Sequence, residues 1–364
     1  MGLTKSETFE WHHAGSSTAL ESGKTTVEEA KADIDELYKT GKPFFPREKI
    51  QDLEKQMNAL ADKGGKLTVE DLNGDILECV VPKAEGELEG FKLRLDYRDA
   101  ATLKYEIDIG WSSRKGLKAE AFCPLQLIYA IYYVEDDPTR KPETVAREFE
   151  ANTQVWEASE ACENFKKTLF QNASGHKINS IVGFACGSLS RPYNPHTDFQ
   201  HALLITLKDW LKKKDPGKEL SCYIQDVLNT SADKDFLAKF GFEVVDDPAG
   251  WSKVDEQSVV LSIAPDVPIK QIIAENARPA IVIWVKEKEE EEEKKDEEKR
   301  AERAKVRERQ RKEKKEGLNL ADILPPTGTD PDTSRTREMM KGYDMHELGD
   351  SQHFRDAVIY IRKM

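Results

Sequence analysis

Between residues 178 and 285, short runs that are apolar almost throughout alternate with segments of helical periodicity, and no other feature constrains the fold as much. The runs are Ile181-Val-Gly-Phe-Ala-Cys-Gly-Ser-Leu-Ser190, Ser221-Cys-Tyr-Ile-Gln225, Phe242-Glu-Val-Val245, Ser258-Val-Val-Leu-Ser-Ile263 and Pro279-Ala-Ile-Val-Ile-Trp-Val285. Strands without polar alternation must be covered on both faces, which is the condition of a parallel sheet between helices, joined by right-handed crossovers. The intervening helices are signalled separately. Thr197-Asp-Phe-Gln200 spells a capping box, and Phe199, Leu203, Leu207, Trp210 and Leu211 form an apolar stripe before Lys212-Lys-Lys214. Further helices are expected from Ser231 to Phe240, ended by Gly241, and from Ile269 to Asn276. The predicted class is α/β: a Rossmann-like, mostly parallel sheet flanked by helices. It carries an N-terminal α+β extension, and a charged insertion precedes the last helix and strand.

A chain of 364 residues is long enough for about two domains. Residues 1–24, with Trp11-His12-His13 and a Gly/Ser-rich patch, show no periodicity and read as a disordered tail; two histidines without a third ligand do not specify a metal site. The extension over 25–135 opens with the capping box Thr26-Val-Glu-Glu29 and a helix to about Thr40. A second helix is expected from about Pro46, with Ile50, Leu53, Met57 and Leu60 on one stripe. Runs beginning at Gly65 and Ile76, and Leu103-Lys-Tyr-Glu-Ile-Asp-Ile109, look like strands. Cys123 to Val134 is too apolar to be exposed, and Pro124 at its start favours a helix. The α/β domain is then expected over 136–285, opening with helix from Pro142 to about Asn172.

Residues 286–333 form an insertion and linker. The part from Lys286 to Glu316 is almost entirely charged, with Glu290 and Lys294, or Glu308 and Lys312, spaced for helical ion pairs, so it reads as a solvated helix or a disordered segment. This stretch supplies much of the chain's 34% charged content, so the remainder is of ordinary globular composition. Residues 334–364 return with a short helix and the strand Asp356 to Arg362, completing the sheet.

The net charge of −13 disfavours a general grip on nucleic acid, which requires a basic face. No apolar run approaches the roughly 20 residues of a membrane span, so no membrane partner is expected. Five scattered cysteines without a C-x-x-C pair, and no signal peptide, point to a reducing compartment, cytoplasmic or nuclear or both. Gly2 with Ser6 meets the short and common myristoylation pattern. No metal motif is present.

The turn after the first apolar run lies where open α/β sheets bind ligands. A dinucleotide site needs G-x-G-x-x-G. This chain has Gly183-x-x-x-Gly187-Ser188, with about ten residues before the expected helix. Asp226 stands at the end of the second strand, where a nucleoside site wants an acid for ribose hydroxyls, although it serves equally as a loop cap. A nucleophilic reading would combine Ser188 or Cys186 with His196 or His201 and Asp226, but the G-x-S-x-G elbow is missing.

Gly183-Phe-Ala-Cys-Gly-Ser-Leu-Ser190, Gln200-His-Ala202, Tyr223-Ile-Gln-Asp226, Asp233, Leu237, Phe240-Gly241, Val254-Asp255 and Ser262-Ile-Ala-Pro-Asp-Val-Pro268 occur in the order of one family. On these residues the chain resembles the "sensitivity to red light reduced" (SRR-like) domain family, in a longer form associated with fungi; Ile34 to Tyr38 and Asp52 to Lys55 look like the extension of that form. The resemblance implies a Rossmann-like domain with a regulatory theme, in light signalling, circadian timing and haem-related roles, and brings no established reaction. Two positions depart from the pattern: Val227 follows Asp226 where the family often has proline, and Asp266 follows Pro265 where plant members tend to have histidine.

The functional expectation is a regulatory or interaction protein with an unidentified protein partner and a small molecule held at the Gly183–Ser190 turn. The alternative is an S-adenosylmethionine-dependent, methyltransferase-like enzyme. Candidate ligand contacts are Gly183, Gly187, Ser188, Asp226, Pro265 and Asp266; no catalytic residue is assigned. S-Adenosylmethionine or another nucleotide heads the candidate ligands, with haem behind them.

Overall fold

The computed structural model describes residues 5–8, 12–13, 26–60, 63–83, 92–107, 119–131, 140–192, 194–289 and 329–364, together with 291–292, 294–295, 298–299 and 302. The insertion expected over 286–316 lies largely outside the described residues. The chain divides into two units, one of Met1–Ile131, Lys270–Asn276 and Lys288–Pro331, the other of Tyr132–Ile269, Ala277–Glu287 and Asp332–Met364.

In the first unit, Thr26 caps α1 (Val27–Lys39) in a reciprocal box with Glu29, as its sequence spells. Helix α2 (Arg47–Leu60) buries Ile50, Leu53 and Met57. Two three-stranded antiparallel sheets follow. The first has the order β1 (Lys5–Thr8), β6 (Leu125–Ile131), β5 (Lys92–Tyr97); the second has β2 (His12–His13), β4 (Ile76–Val81), β3 (Gly65–Glu70). Residues 5–8 and 12–13, read as tail, therefore add a strand to each sheet.

Two expectations are corrected here. Residues Ala100–Glu106 form helix α3 rather than a strand, because Asp99 accepts from the Thr102 amide and caps a turn that overrides the two-residue alternation. Leu125–Ile131 is strand β6 rather than helix. It is the centre of its sheet, bonded to β1 on one side and β5 on the other, and Pro124 stands just before the strand, where its missing donor costs no ladder bond.

The second unit contains a seven-stranded, mostly parallel sheet flanked by helices. Its elements are α4 (Pro142–Glu157), α5 (Glu160–Asn172), β7 (Ser180–Phe184), α6 (Pro195–Lys214), β8 (Ser221–Gln225), α7 (Ser231–Ala238), β9 (Glu243–Val244) and β10 (Ser258–Ser262). Helix α8 (Ile269–Asn276), whose residues 270–276 cluster with the first unit, leads to β11 (Ile281–Val285). After the insertion come α9 (Ser334–Met340), β12 (Tyr343–Glu347), α10 (Ser351–Phe354) and β13 (Ala357–Arg362). The order is β12-β13-β11-β10-β7-β8-β9, with β13 antiparallel to both neighbours. The helix expected through Asn172 is broken at Ser159, which caps α5 through its hydroxyl.

Every residue of β7 and β10 is buried, as two-sided apolar runs require. One face, carrying Ile181, Ile224, Leu261 and Ile283, joins Trp156 of α4, Phe165 of α5, Leu204 of α6 and Phe354 of α10 in one core. On the other face Phe184 stacks on Trp251 at 4.4 Å, and Gln225 accepts from the Gly250 amide, so the 3₁₀ turn Ala249–Lys253 is fixed against the strands.

Candidate functional site

The chain runs outward from β7 through β8 to β9 on one side, then returns to β10 and β11 on the other. The strand order thus reverses between β7 and β10, and the crevice outside the carboxyl ends of such a pair is the usual ligand position of an open α/β sheet. Ala185, directly after β7, and Ala264, two residues after β10, have φ of 53° and 58°. Left-handed backbone at a residue with a Cβ costs on the order of 1–2 kcal/mol, so the fold holds both turns against a local preference.

The two glycines of the turn are needed for packing. A Cβ on Gly183 would lie 2.8 Å from Leu204 Cδ1, and one on Gly187, whose φ is +81°, would lie 2.4 Å from Thr197 Oγ1. Both contacts bring β7 and its turn against α6, which starts earlier than its capping-box spelling suggests. Asn194 is the cap, Pro195 occupies the first turn, and Thr197 is already buried.

The turn's polar groups are satisfied from within the loops. Gly187 N–H donates to Asp226 Oδ2 at 2.7 Å, and the other carboxylate oxygen accepts from Leu228 N–H at 2.8 Å. Ser188 Oγ donates to Asp233 Oδ2 at 2.6 Å, Ser190 N–H to Asp233 Oδ1 at 2.9 Å, and Thr230 N–H to Asp233 Oδ2 at 2.8 Å. Asp233 is completely buried and doubles as the third-position acid in the capping box of α7. His201, also buried, pairs Nε2 with the Gly187 carbonyl at 3.1 Å, while its Nδ1 has no partner among the described residues.

The environment pushes several groups from their ordinary protonation. Burial raises Asp226, and the neighbouring Asp266 and Asp233 add to the effect, while the amides of Leu228 and Gly187 oppose it. Burial pulls His201 down, so its imidazole is neutral at pH 7, and lifts the Cys186 thiol far above its usual range. A nucleophilic assembly of Ser188 or Cys186 with His201 and Asp226 is therefore not formed. Ser188 is bound to Asp233, Cys186 is a buried neutral thiol, and His201 faces a carbonyl.

Of the residues singled out from the sequence, Gly187 and Ser188 share one hydrogen-bonded loop system with Asp226, and Asp266 stands close enough to raise the Asp226 carboxyl. Gly183 sits beneath α6, and Pro265 is buried after Ala264. Sequence reasoning gave no site role to four further groups. Asp233 is one; its signal was Thr230 three residues ahead, a capping-box spelling with Asp in the glutamate position. Arg140 donates to the carbonyls of Leu189 and Arg191 and pairs with Glu148 at 2.9 Å. Asp198, held by Asn152 at 2.7 Å, is raised by burial to about 6. Asn229, in the loop after β8, has both ends of its carboxamide buried and, among the described residues, without a partner.

A family model for the SRR1 domain matches residues 161–360, more than half of the 364 residues. The chain belongs to the SRR1 domain family. The matched region runs from α5 to β13, so it takes in the turn after β7, the Asp226 loop and the late strands that complete the sheet. No curated protein sequence matches the chain. Among solved structures, it is similar to human N-acetylserotonin methyltransferase in complex with SAM, with 10% identity, coverage of 86% of this chain and 82% of that chain, and a TM-score of 0.28.

Proposed function

We propose that this SRR1-domain protein is regulatory, binding a small molecule at the carboxyl ends of β7, β8 and β10 and reporting its presence to a protein partner. The observation that carries this reading is the commitment of the Ser188 hydroxyl, the Asp226 and Asp233 carboxylates and His201 Nε2 to hydrogen bonds within the loops. That arrangement favours binding over covalent chemistry. The unpartnered Asn229 carboxamide supports a ligand, because a buried amide with neither end bonded costs on the order of 1–3 kcal/mol unless something satisfies it. The charge of the crevice narrows the ligand's chemistry. Asp266 and Asp233 both act on Asp226 there, and this gathering of acids disfavours a pyrophosphate and favours a neutral nucleoside or one bearing a positive centre, such as a sulfonium. The five buried free thiols accord with a cytoplasmic or nuclear setting.

A second reading, a methyltransferase-like enzyme, is favoured by the strand order. The order reverses between β7 and β10, and Asp226 stands just after the neighbouring strand β8, where a nucleoside site wants an acid for ribose hydroxyls. The crevice that both readings share is tested in one thermal-shift series with S-adenosylmethionine, adenosine, ATP, NAD and haem, run on wild type and Asp226→Asn. A ligand at about a hundredfold its Kd should add about 2.7 kcal/mol. The expected result is a shift with S-adenosylmethionine or adenosine that exceeds those with ATP and NAD and falls in the variant. Shifts that are absent, or equal in both proteins, sink the crevice. Methyl transfer to any acceptor from bound S-adenosylmethionine would replace the regulatory reading with the enzymatic one.

A further inference from the structure

At the amino end of the same sheet, ahead of β7 and β8, a pocket of about 190 Å³ opens between residues 174–178 and residues 211–220. Its charged lining is His176, Lys177, Lys212, Lys214 and Lys218, against the single acid Asp215. Lysines at the end of α6 are expected in part, since they complement the negative end of the helix dipole. That accounts for Lys214, whose Nζ donates to the carbonyls of Ala173 at 3.3 Å and His176 at 3.2 Å. It extends to Lys212 in the same turn, but not to Lys177 and Lys218, which lie outside the helix. Among the described residues, the ammonium groups of Lys177, Lys212 and Lys218 make no hydrogen bond or ion pair, in a chain whose net charge is −13 and which has acids to spare.

We propose that this pocket binds a multivalent phosphate anion, the diphosphate or triphosphate group of a small metabolite. Ammonium groups act on phosphate as point charges and donors, and three of them with free valences around one small pocket match a multiply charged oxyanion better than a lone carboxylate. The pocket's own titrations accord with an uncompensated positive field. His176 is held down by burial first, then by Arg362 of β13 and Lys214, with a backbone bond from Arg362 opposing; Lys214 is lowered by burial and by Lys218, with Asp215 opposing. A bound anion reverses that field, so binding draws a proton onto His176 and is tighter on the acid side of neutrality.

The test is calorimetric titration of the full chain with inorganic pyrophosphate and tripolyphosphate at about 20 mM salt, where screening is weak. Lys177→Ala/Lys218→Ala should weaken binding at least about tenfold, whereas the charge-matched control Lys286→Ala/Lys341→Ala should change it less than about twofold. Lys212→Ala, on the exposed last turn of α6, gives an independent answer if the double variant melts early. Affinity should be higher at about pH 6 than at about pH 8. Failure of pyrophosphate to bind at about 1 mM, equal losses in the pocket and control variants, or orthophosphate binding as tightly as pyrophosphate would each overturn the proposal.

Discussion

Replacing Asp233 should unseat the turn more than any other single change at the site. Its carboxylate is completely buried and accepts from Ser190 N–H, Thr230 N–H and the hydroxyls of Ser188, Ser190 and Thr230, at distances between 2.6 and 3.1 Å. In Asp233→Ala the hydroxyls can re-pair, since Ser190 and Thr230 already lie 2.7 Å apart. The two buried amides cannot, and each orphaned donor costs about 1–3 kcal/mol. Loss of the capping box of α7 adds about 1 kcal/mol. Because these bonds form one network the costs do not simply add, and a loss of about 3–5 kcal/mol follows. For a unit of this size that lowers Tm by about 8–15 °C. Asp233→Asn keeps one acceptor oxygen, so its loss should be about half as large. Guanidinium unfolding of the three proteins, read by tryptophan fluorescence and circular dichroism, measures the series. A loss below about 1 kcal/mol for Asp233→Ala, or an Asn variant no better than Ala, would refute the account of the turn as a network centred on this carboxylate.

Three further outcomes follow from the same structure. Asp198 is raised to about 6 by burial, so the folded state binds a proton that the unfolded chain releases near its ordinary value, and stability falls as pH rises from about 4 to 6. Asp198→Asn should match wild type near pH 4 and exceed it at pH 7, by at most about 2–3 kcal/mol, in paired denaturation curves; a variant less stable at pH 7 contradicts the sign. Glu275 Oε2 accepts from the amides of Phe44 and Phe45 at 2.8 Å each, so Glu275→Ala should cost about 2–4 kcal/mol locally, seen as faster hydrogen exchange at those amides. Gly187→Ala must carry a Cβ at φ +81° against Thr197 and should lose about 2–4 kcal/mol, whereas Ala185→Gly relieves a left-handed alanine and should be neutral or stabilising by up to about 1 kcal/mol; both are read from thermal melts.

The sheet was legible because β7, β8, β10 and β11 are local signals: short apolar runs bounded by turns and capped helices. Strand β12 was not legible. Tyr343-Asp-Met-His-Glu buries only its tyrosine, as an edge strand should, and it is a strand because β13 lies beside it. The same kind of non-local decision made β6 a strand, since an apolar seven-residue run fits either state until two partners bond to it. Helix α3 had a local signal in Asp99 that the alternation of Leu103, Tyr105 and Ile107 obscured. At the site, the need for glycine at 183 and 187 was visible, but its reason was not. The spelling suggests backbone approach to a phosphate, and the structure uses the space for Leu204 and Thr197. Nothing near Arg140 or Asp198 in the sequence marks either one, because both reach the turn from other elements.

The charges at the two ends of the sheet bear on what each end can hold. Acids near helix N-termini and lysines near C-termini stabilise helices, so an acidic carboxyl end and a basic amino end would arise in an α/β domain with no ligand at all. What separates function from helix chemistry is whether the groups are already paired. At the carboxyl end Asp233 is saturated by five donors and explains itself as a cap, while Asp226 and Asp266 crowd one another and Asn229 is left without partners. At the amino end Lys214 caps two carbonyls and explains itself likewise, while three neighbouring ammoniums remain unpaired. The residual at one end is negative and at the other positive, so one ligand cannot satisfy both. A neutral or cationic molecule suits the crevice and a polyanion the opposite pocket. If Asp226→Asn and Lys177→Ala/Lys218→Ala affected the same ligand to the same degree, the division of charge would be helix chemistry alone.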